Sequence, residues 1–417
     1  FDDGSKRFAY VSADIGMGSD LLNQKVVERL DQVLGSGVYT YDNLAISGTH
    51  THSSPAGFLQ YVLFQATSWG FMNQTFTAYV DGVAEAVIAA HNDLQPSVVT
   101  LSQGELEGAN INRSPTSYVL NPDAEEYDAD TDLNMLLLSI EAEGSGEPLG
   151  VLNWFAVHGT SLNNTNRLLS SDNRGYASYL LEQHFNGPTE TVWPGQGPFV
   201  AAFASTNLGD VSPNTNGAKC IDTGLPCDAV TSTCNGRNEL CIAFGPGVDM
   251  YDSAEIIGRK QFDHALDLVS NASQARMVLD GPVDFVHSFV NMSAQLVTVD
   301  NGDGSQSTVS TCRPAMGYAF AAGTTDGPGA FNFHQATNET TLFWQFITDV
   351  LNEPSPAEVE CHAPKPILLN IGAMHRPYQW DAEVGPKPPH SSKGWPWNAP
   401  DCPDLGQRTC LGRVFQS

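Results

Sequence analysis

The residues able to do chemistry in this chain collect in short blocks that follow apolar runs. Gly48-Thr49-His50-Thr51-His52-Ser53 comes straight after Asn43–Ser47, which reads as a short strand. In an extended His-x-His both imidazoles point the same way, so one metal ion or one substrate can meet both. Zinc takes neutral imidazole nitrogens, and a partner on the other ring nitrogen usually sets the tautomer. Asn153-Trp154-Phe155-Ala156-Val157-His158 places another histidine after an apolar strand. The plain alternative is a pair of histidines in a polar loop and one capped core histidine. Two strand-end sites in one chain favour a shared zinc. Asn207-Leu208-Gly209-Asp210-Val211-Ser212-Pro213-Asn214 presents the hydroxyl of Ser212 just after the expected strand Phe199–Phe203. It lacks the G-x-S-x-G pattern of a nucleophile elbow, and its composition is also ordinary turn chemistry. Arg113, in Asn110-Ile111-Asn112-Arg113-Ser114-Pro115, could serve an oxyanion or carboxylate, with a surface arginine as the default reading.

Strand ends in open α/β sheets are where ligand crevices form, so the surrounding elements decide whether these blocks can meet. Residues 8–15 read as a strand, and Leu22, Val26, Leu30 and Leu34 mark one face of a helix that starts near Asp20 and is closed by Gly35. Phe76, Val80, Val83, Val87 and Ile88 give a second helical stripe ending before Pro96. Strands follow at Val98–Leu101, Met135–Ile140 and Leu149–Val157, with Glu143–Pro148 as the hairpin loop between the last two. A helix near Tyr176–Phe185 precedes the strand Phe199–Phe203, a long helix runs from about Ser253 to Val269, and strands are expected at 282–290, 294–299 and 366–371. No repeat with a period of about 20–50 residues is present. The class is mixed α/β, with mixed sheets and flanking helices in one large catalytic-type domain over residues 1–417. From about 380 onward, Pro386, Pro388, Pro389, Trp395, Pro396, Trp397, Pro400 and Pro403 make an irregular segment, read as a covering loop or tail.

With 417 residues, 41% hydrophobic and 9% aromatic, the chain can build a large core, and disorder is a poor description of it. Its 47 acidic residues against 19 Lys and Arg give a net charge of −28. That charge repels phosphate backbones and anionic headgroups, which argues against nucleic acid as a partner and leaves peripheral contact with neutral or zwitterionic lipid open. No apolar run approaches the roughly 20 residues of a membrane span, so a soluble protein is expected. Of the eight cysteines, Cys220, Cys227, Cys234 and Cys241 form a ladder in steps of seven, unlike the tight pairs of a zinc knuckle. The favoured pairing is crossed, Cys220–Cys234 and Cys227–Cys241, with Cys312–Cys361 and Cys402–Cys410 from the remainder. Six Asn-x-Ser/Thr sequons, at Asn73, Asn112, Asn163, Asn271, Asn291 and Asn338, join the even cysteine count in pointing to a secreted or cell-surface glycoprotein. The chain opens at Phe1 without an initiator Met or signal peptide, which is read as processing or incompleteness.

Taken together these blocks resemble the neutral ceramidases, secreted or membrane-associated zinc amidases that hydrolyse N-acylsphingosine. The resemblance runs through Val11-Ser12-Ala13-Asp14-Ile15-Gly16-Met17, the longer run Gly48 to Phe58, Asn112-Arg113-Ser114, Trp154 to His158, Ser171 to Tyr179, Asn207 to Asn214, the cysteine ladder and Lys365-Pro366-Ile367-Leu368-Leu369. The cysteine ladder fits the same crossed pairing. By this resemblance His50 and His158 are zinc ligands, His52 and Arg113 contact the substrate amide or the oxyanion, and Ser212 is an essential serine, here taken to position substrate. The reaction implied is metal-assisted hydrolysis of the ceramide amide to sphingosine and a fatty acid, with charged donors stabilising the oxyanion. The family also supplies a Glu, in a Pro-Gly-Glu-Phe-Thr-type segment, and a Tyr beyond the Lys365–Leu369 region, and it carries an immunoglobulin-like carboxyl-terminal domain. No Gly-Glu-Phe triplet follows Leu369 here, and Glu383 with Tyr378 are the late candidates. The missing part is expected on a separate carboxyl-terminal chain of the same precursor or beyond this sequence. The rival expectation is a non-catalytic secreted structural or interaction glycoprotein on the same fold, with a different zinc- or serine-dependent hydrolase behind it.

Overall fold

The apolar stripes become two helix-backed layers. The computed structural model describes residues 1–187, 193–270, 276–329, 333–337, 339–351, 353–373, 379–381 and 385–387. The first part runs β1 (Ala9–Ala13), α1 (Asp20–Leu34), β2 (Leu44–Gly48), α2 (Val62–Thr67), α3 (Asn73–Asn92) and β3 (Ser97–Glu105). Next come β4 (Ile111–Asn112), α4 (Pro115–Tyr118), β5 (Asn134–Ala142), β6 (Pro148–Phe155), α5 (Asp172–Asn186), β7 (Val200–Ser205) and β8 (Val211–Ser212). The remainder contains β9 (Ala218–Cys220), β10 (Cys241–Ala243), α6 (Met250–Ser270), β11 (Met277–Val278), β12 (Leu296–Asp300), β13 (Gln306–Ser310), β14 (Met316–Gly317), α7 (Tyr318–Ala321), β15 (Gly323–Thr324), β16 (Gly327–Pro328), α8 (Leu342–Leu351), α9 (Pro356–His362) and β17 (Ile367–Leu369).

A five-stranded sheet in the order β11-β3-β5-β6-β7 is the main layer. Strand β6 pairs in parallel with β7 and antiparallel with β5, through the expected hairpin. Because β5 alternates, Met135 and Leu137 point into the core shared with Leu181 of α5 and Ile257, Ala265 and Leu268 of α6. Strands β1 and β2 pair in parallel alongside, under α1 and α3. Ser19 caps α1, its Oγ accepting from the amide of Leu22 at 3.3 Å, and Leu22, Val26 and Leu30 are buried as the periodicity requires. The same agreement holds for Phe76, Val80, Val83 and Val87 of α3. The fold is mixed α/β, as expected.

Residues 282–290 differ: they form no strand. Their Phe/Val pattern leaves Val286 94% and Phe289 79% exposed. The segment is held to the amino terminus by side chains instead of a ladder. Asp284 pairs with Lys6, the amide of Val283 donates to Asp3 Oδ2 at 2.8 Å, and Phe285 stacks on Phe8. Among the described residues three disulfides are formed, Cys220–Cys234, Cys227–Cys241 and Cys312–Cys361. Among the sequons, Asn163 and Asn291 are exposed and Asn73 is half-buried. Asn112, by contrast, is 6% exposed, and its Nδ2 donates to Asp130 O at 2.8 Å and Asp210 Oδ2 at 2.9 Å. The nitrogen a glycan would occupy is committed to the fold. Asn271, Asn338, Cys402, Cys410, Tyr378 and Glu383 lie outside the described residues, as does most of the 380–417 segment.

Candidate active site

The carboxyl ends of β2 and β6 carry the histidine blocks, and a glycine lets them touch. Thr51 forms a parallel bridge with Gly159, and the amide of His52 donates to Gly159 O at 3.2 Å. A Cβ at Gly159 would lie 2.7 Å from His50 O and 2.9 Å from Thr51 Cα, so any side chain there would push the two blocks apart. His50 adopts φ 63°, a left-handed conformation that is strained for a residue with a Cβ and turns its ring toward His158. The ring centroids of His50 and His158 are 4.8 Å apart, and His52 lies 4.9 Å from His50 and 5.8 Å from His158.

Backbone carbonyls set two tautomers. His50 Nδ1 donates to Gly16 O at 2.5 Å and His158 Nδ1 to Val211 O at 2.9 Å, which leaves both Nε2 lone pairs directed into the cluster. His52 makes no such backbone bond among the described residues, and its Nε2 lies 3.3 Å from His50 Nε2. Burial, aided by the nearby cation of Arg113, keeps all three rings neutral. It lowers His50 and brings His52 to about 4 and His158 to about 3, with the neighbouring histidines contributing to the last two. One ligand atom from each of the three histidines falls within 4.8 Å of the others. Neutral imidazoles with second nitrogens anchored match what zinc requires of its donors.

Strands β4 and β8 bring Arg113 and Ser212 to the same point. They pair antiparallel, with Ile111 opposite Ser212, and the amide of Arg113 donates to Asp210 O at 2.7 Å. Arg113 Nη2 donates to Gly209 O at 2.7 Å and lies 3.4 Å from His158 Nε2. All five residues expected at the site, His50, His52, Arg113, His158 and Ser212, are therefore assembled in one region.

The site also contains residues that sequence reasoning did not single out. Asp326, at the tip of the β15–β16 hairpin, accepts from Ser212 Oγ at 2.7 Å and pairs with Arg113 Nη1 at 3.1 Å. In sequence, Thr325-Asp326-Gly327 is ordinary turn chemistry, the two loop residues Thr325-Asp326 followed by Gly327 of β16, which hides the role. Arg174, on the first turn of α5, is 1% exposed and donates to Thr49 O at 3.2 Å, Phe155 O at 2.9 Å and Ala204 O at 3.2 Å. One guanidinium thus ties together the ends of β2, β6 and β7. Asn173 beside it donates to His158 O at 2.9 Å. A polar, buried first turn has no apolar periodicity to announce it.

Mixed sheets with histidines gathered at strand ends, an adjacent arginine and a disulfide-stapled loop define a class of α/β proteins with a candidate metal site. Over residues 1–387 the sequence matches the family described as neutral/alkaline non-lysosomal ceramidase, N-terminal. It is 49% identical over 391 residues to neutral ceramidase B of Dictyostelium discoideum, covering 92% of this chain and 53% of that protein. It is 44% identical over 389 residues to neutral ceramidase of Drosophila melanogaster, covering 92% of this chain and 54% of that protein. Among solved structures, one described as a ceramidase complexed with C2 superposes with a TM-score of 0.65 at 31% identity, over 93% of this chain and 54% of its own. The neutral ceramidase of Pseudomonas aeruginosa gives 0.63 at 29%, over 93% and 52%. The chain belongs to the neutral/alkaline non-lysosomal ceramidase family, and it spans about half the length of these relatives.

Proposed function

We propose that this protein is a zinc-dependent amidohydrolase that cleaves ceramide to sphingosine and a fatty acid. One observation carries the reading: three neutral histidines and a fixed arginine converge at strand ends in a chain of this family. In the reaction the amide C–N bond breaks, water supplies OH to the acyl carbon, and the amine leaves with the remaining proton. His50 and His158, each anchored through Nδ1, would hold zinc, which supplies Lewis-acid polarisation and activation of water when bound. Arg113 places a preorganised cation beside this cluster, where negative charge develops on the former carbonyl oxygen. His52, neutral and on the solvent side, faces the substrate amide. The three disulfides and the exposed Asn163 and Asn291 support a secreted or cell-surface glycoprotein. No helix among the described residues is long and apolar enough to cross a membrane, which fits a peripheral encounter with a lipid amide.

The test measures sphingosine release from a short-chain ceramide by the full-length protein, together with zinc per chain. About one zinc per chain and turnover that is lost in His50→Ala and His158→Ala, with the metal lost too, are expected. Full metal content in both variants would remove the ligand assignment, and zinc without turnover would remove the substrate.

A further inference from the structure

We propose that Asp326 is a positioning residue that orients Arg113, and that Ser212 serves the site by clamping Asp326 rather than by attacking the substrate. The proposal rests on the amidohydrolase reading above and assigns work within that site. Each oxygen of the Asp326 carboxylate receives two donors. Oδ1 accepts from Ser212 Oγ at 2.7 Å and Asn214 Nδ2 at 2.8 Å, and Oδ2 accepts from Arg113 Nη1 at 3.1 Å and Thr160 Oγ1 at 3.4 Å. A carboxylate offers about four lone-pair sites, so this one has none left with which to take a proton from substrate or water. Its side chain is 2% exposed. A buried anion of this kind is held by its partners and, in return, fixes them.

The partner that matters is Arg113. Its two terminal nitrogens are held from different directions, Nη2 by Gly209 O and Nη1 by Asp326 with Thr324 Oγ1 at 3.3 Å. Together these bonds fix the plane of the guanidinium with Nη2 beside His158 Nε2. Ser212 stands behind that pair. It is 1% exposed, its hydroxyl proton goes to Asp326, and its oxygen accepts the Asn214 amide at 3.0 Å. That geometry faces the carboxylate and not an incoming carbonyl.

The hairpin bearing Asp326 is itself braced by the disulfide loop. The amide of Ala243, two residues past Cys241 on β10, donates to Thr325 O at 2.9 Å. Asn238 Nδ2, within the same stapled loop, donates to Gly329 O and Phe333 O, each at 2.9 Å. The cysteine ladder thus reaches the site through three hydrogen bonds to this hairpin region.

The experiment is a double-variant cycle on the full-length, zinc-loaded protein, using Asp326→Asn, Arg113→Ala, Ser212→Ala and the pairs with Asp326→Asn. Three quantities are read: kcat and KM on short-chain ceramide, zinc per chain, and the rate at which phenylglyoxal modifies Arg113, followed by peptide mass spectrometry. Asp326→Asn is expected to lower kcat by about 10–100-fold with zinc retained, the range typical of supporting partners in metal sites. In the Arg113→Ala background the same change should cost less than about threefold, because residues acting as a unit are not additive. Arg113 should be modified severalfold faster in Asp326→Asn and in Ser212→Ala. Full multiplication of the Asp326 and Arg113 effects would overturn the proposal, as would elimination by Ser212→Ala of the turnover left in Asp326→Asn. Absence of ceramide turnover in the parent protein would count against the amidohydrolase reading alone. Modification of Arg113 still decides the present one, and an unchanged rate in Asp326→Asn overturns it. Should Asp326→Asn fail to fold, Ser212→Ala removes one of the same four donors and carries the test through the labelling readout.

Discussion

At the scale of single residues, the histidines are defined as much by what holds their second nitrogen as by what their first could bind. His158 is 3% exposed, donates to a backbone carbonyl and is held neutral down to about pH 3. In the unfolded chain it titrates near its ordinary value of about 6.5. Between those values the unfolded state binds a proton that the folded state refuses, so stability rises with pH across the window and is lost as pH falls. The metal-free protein should lose about 1.4 kcal/mol per pH unit from this group alone on going from pH 6 toward pH 4. Urea unfolding of the metal-free protein and of His158→Asn at several pH values would show it as a shallower acid limb in the variant. Identical limbs would mean that the ring is not buried in its neutral form. With His158 as a zinc ligand, as proposed, the same protonation competes with metal, so zinc should be released on acidification before the chain unfolds.

At the scale of elements, the site is a meeting of strand ends that their own sheet bonds do not bring into place. The bridge at Gly159 aligns the β2 and β6 blocks, and Arg174 crosses beneath them from α5. Replacing Arg174 by Leu would remove three hydrogen bonds from a charged donor, each worth about 1.5–3 kcal/mol, although Phe155 O would keep the amide of Thr206 at 3.4 Å. Arg174→Leu is therefore expected to cost about 3 kcal/mol or more in urea unfolding and to weaken zinc retention against a chelator. Lysine at the same position offers one compact ammonium in place of a planar fork, so it should recover only part of the loss. Wild-type zinc retention in the Leu variant would show that the strand ends stay aligned without this tie.

At the scale of the whole molecule, a net charge of −28 governs which surfaces the protein can approach. Anionic bilayers carry a negative surface potential that repels it, most strongly at low ionic strength where screening is weak. Cosedimentation with phosphatidylcholine vesicles containing ceramide should exceed that with phosphatidylserine vesicles, and the gap should narrow as salt is raised. Stronger binding to the anionic vesicles at low salt would show that a local basic patch outweighs the overall charge. Charge of this magnitude bears on association and solubility, and the fold itself is decided by the apolar stripes and the sheet register.

The amino-acid sequence alone determined the order of the main strands and helices from β1 to α6, the apolar faces of α1 and α3, the histidine, arginine and serine blocks and the family. All of these are local patterns, because helix and strand periodicity and motif spacing are written within windows of about ten to twenty residues. The tertiary structure decided what depends on distant segments. It turned Asn112 inward, left 282–290 without a sheet partner and drew Arg174 under three strand ends. It also brought residues 113, 212 and 326 into one hydrogen-bonded group. An Asp-Gly turn reads the same in sequence whether its carboxylate meets solvent or a buried arginine. The difference comes from the chain path that delivers β8, the stapled β9–β10 loop and the β15–β16 hairpin to the same place.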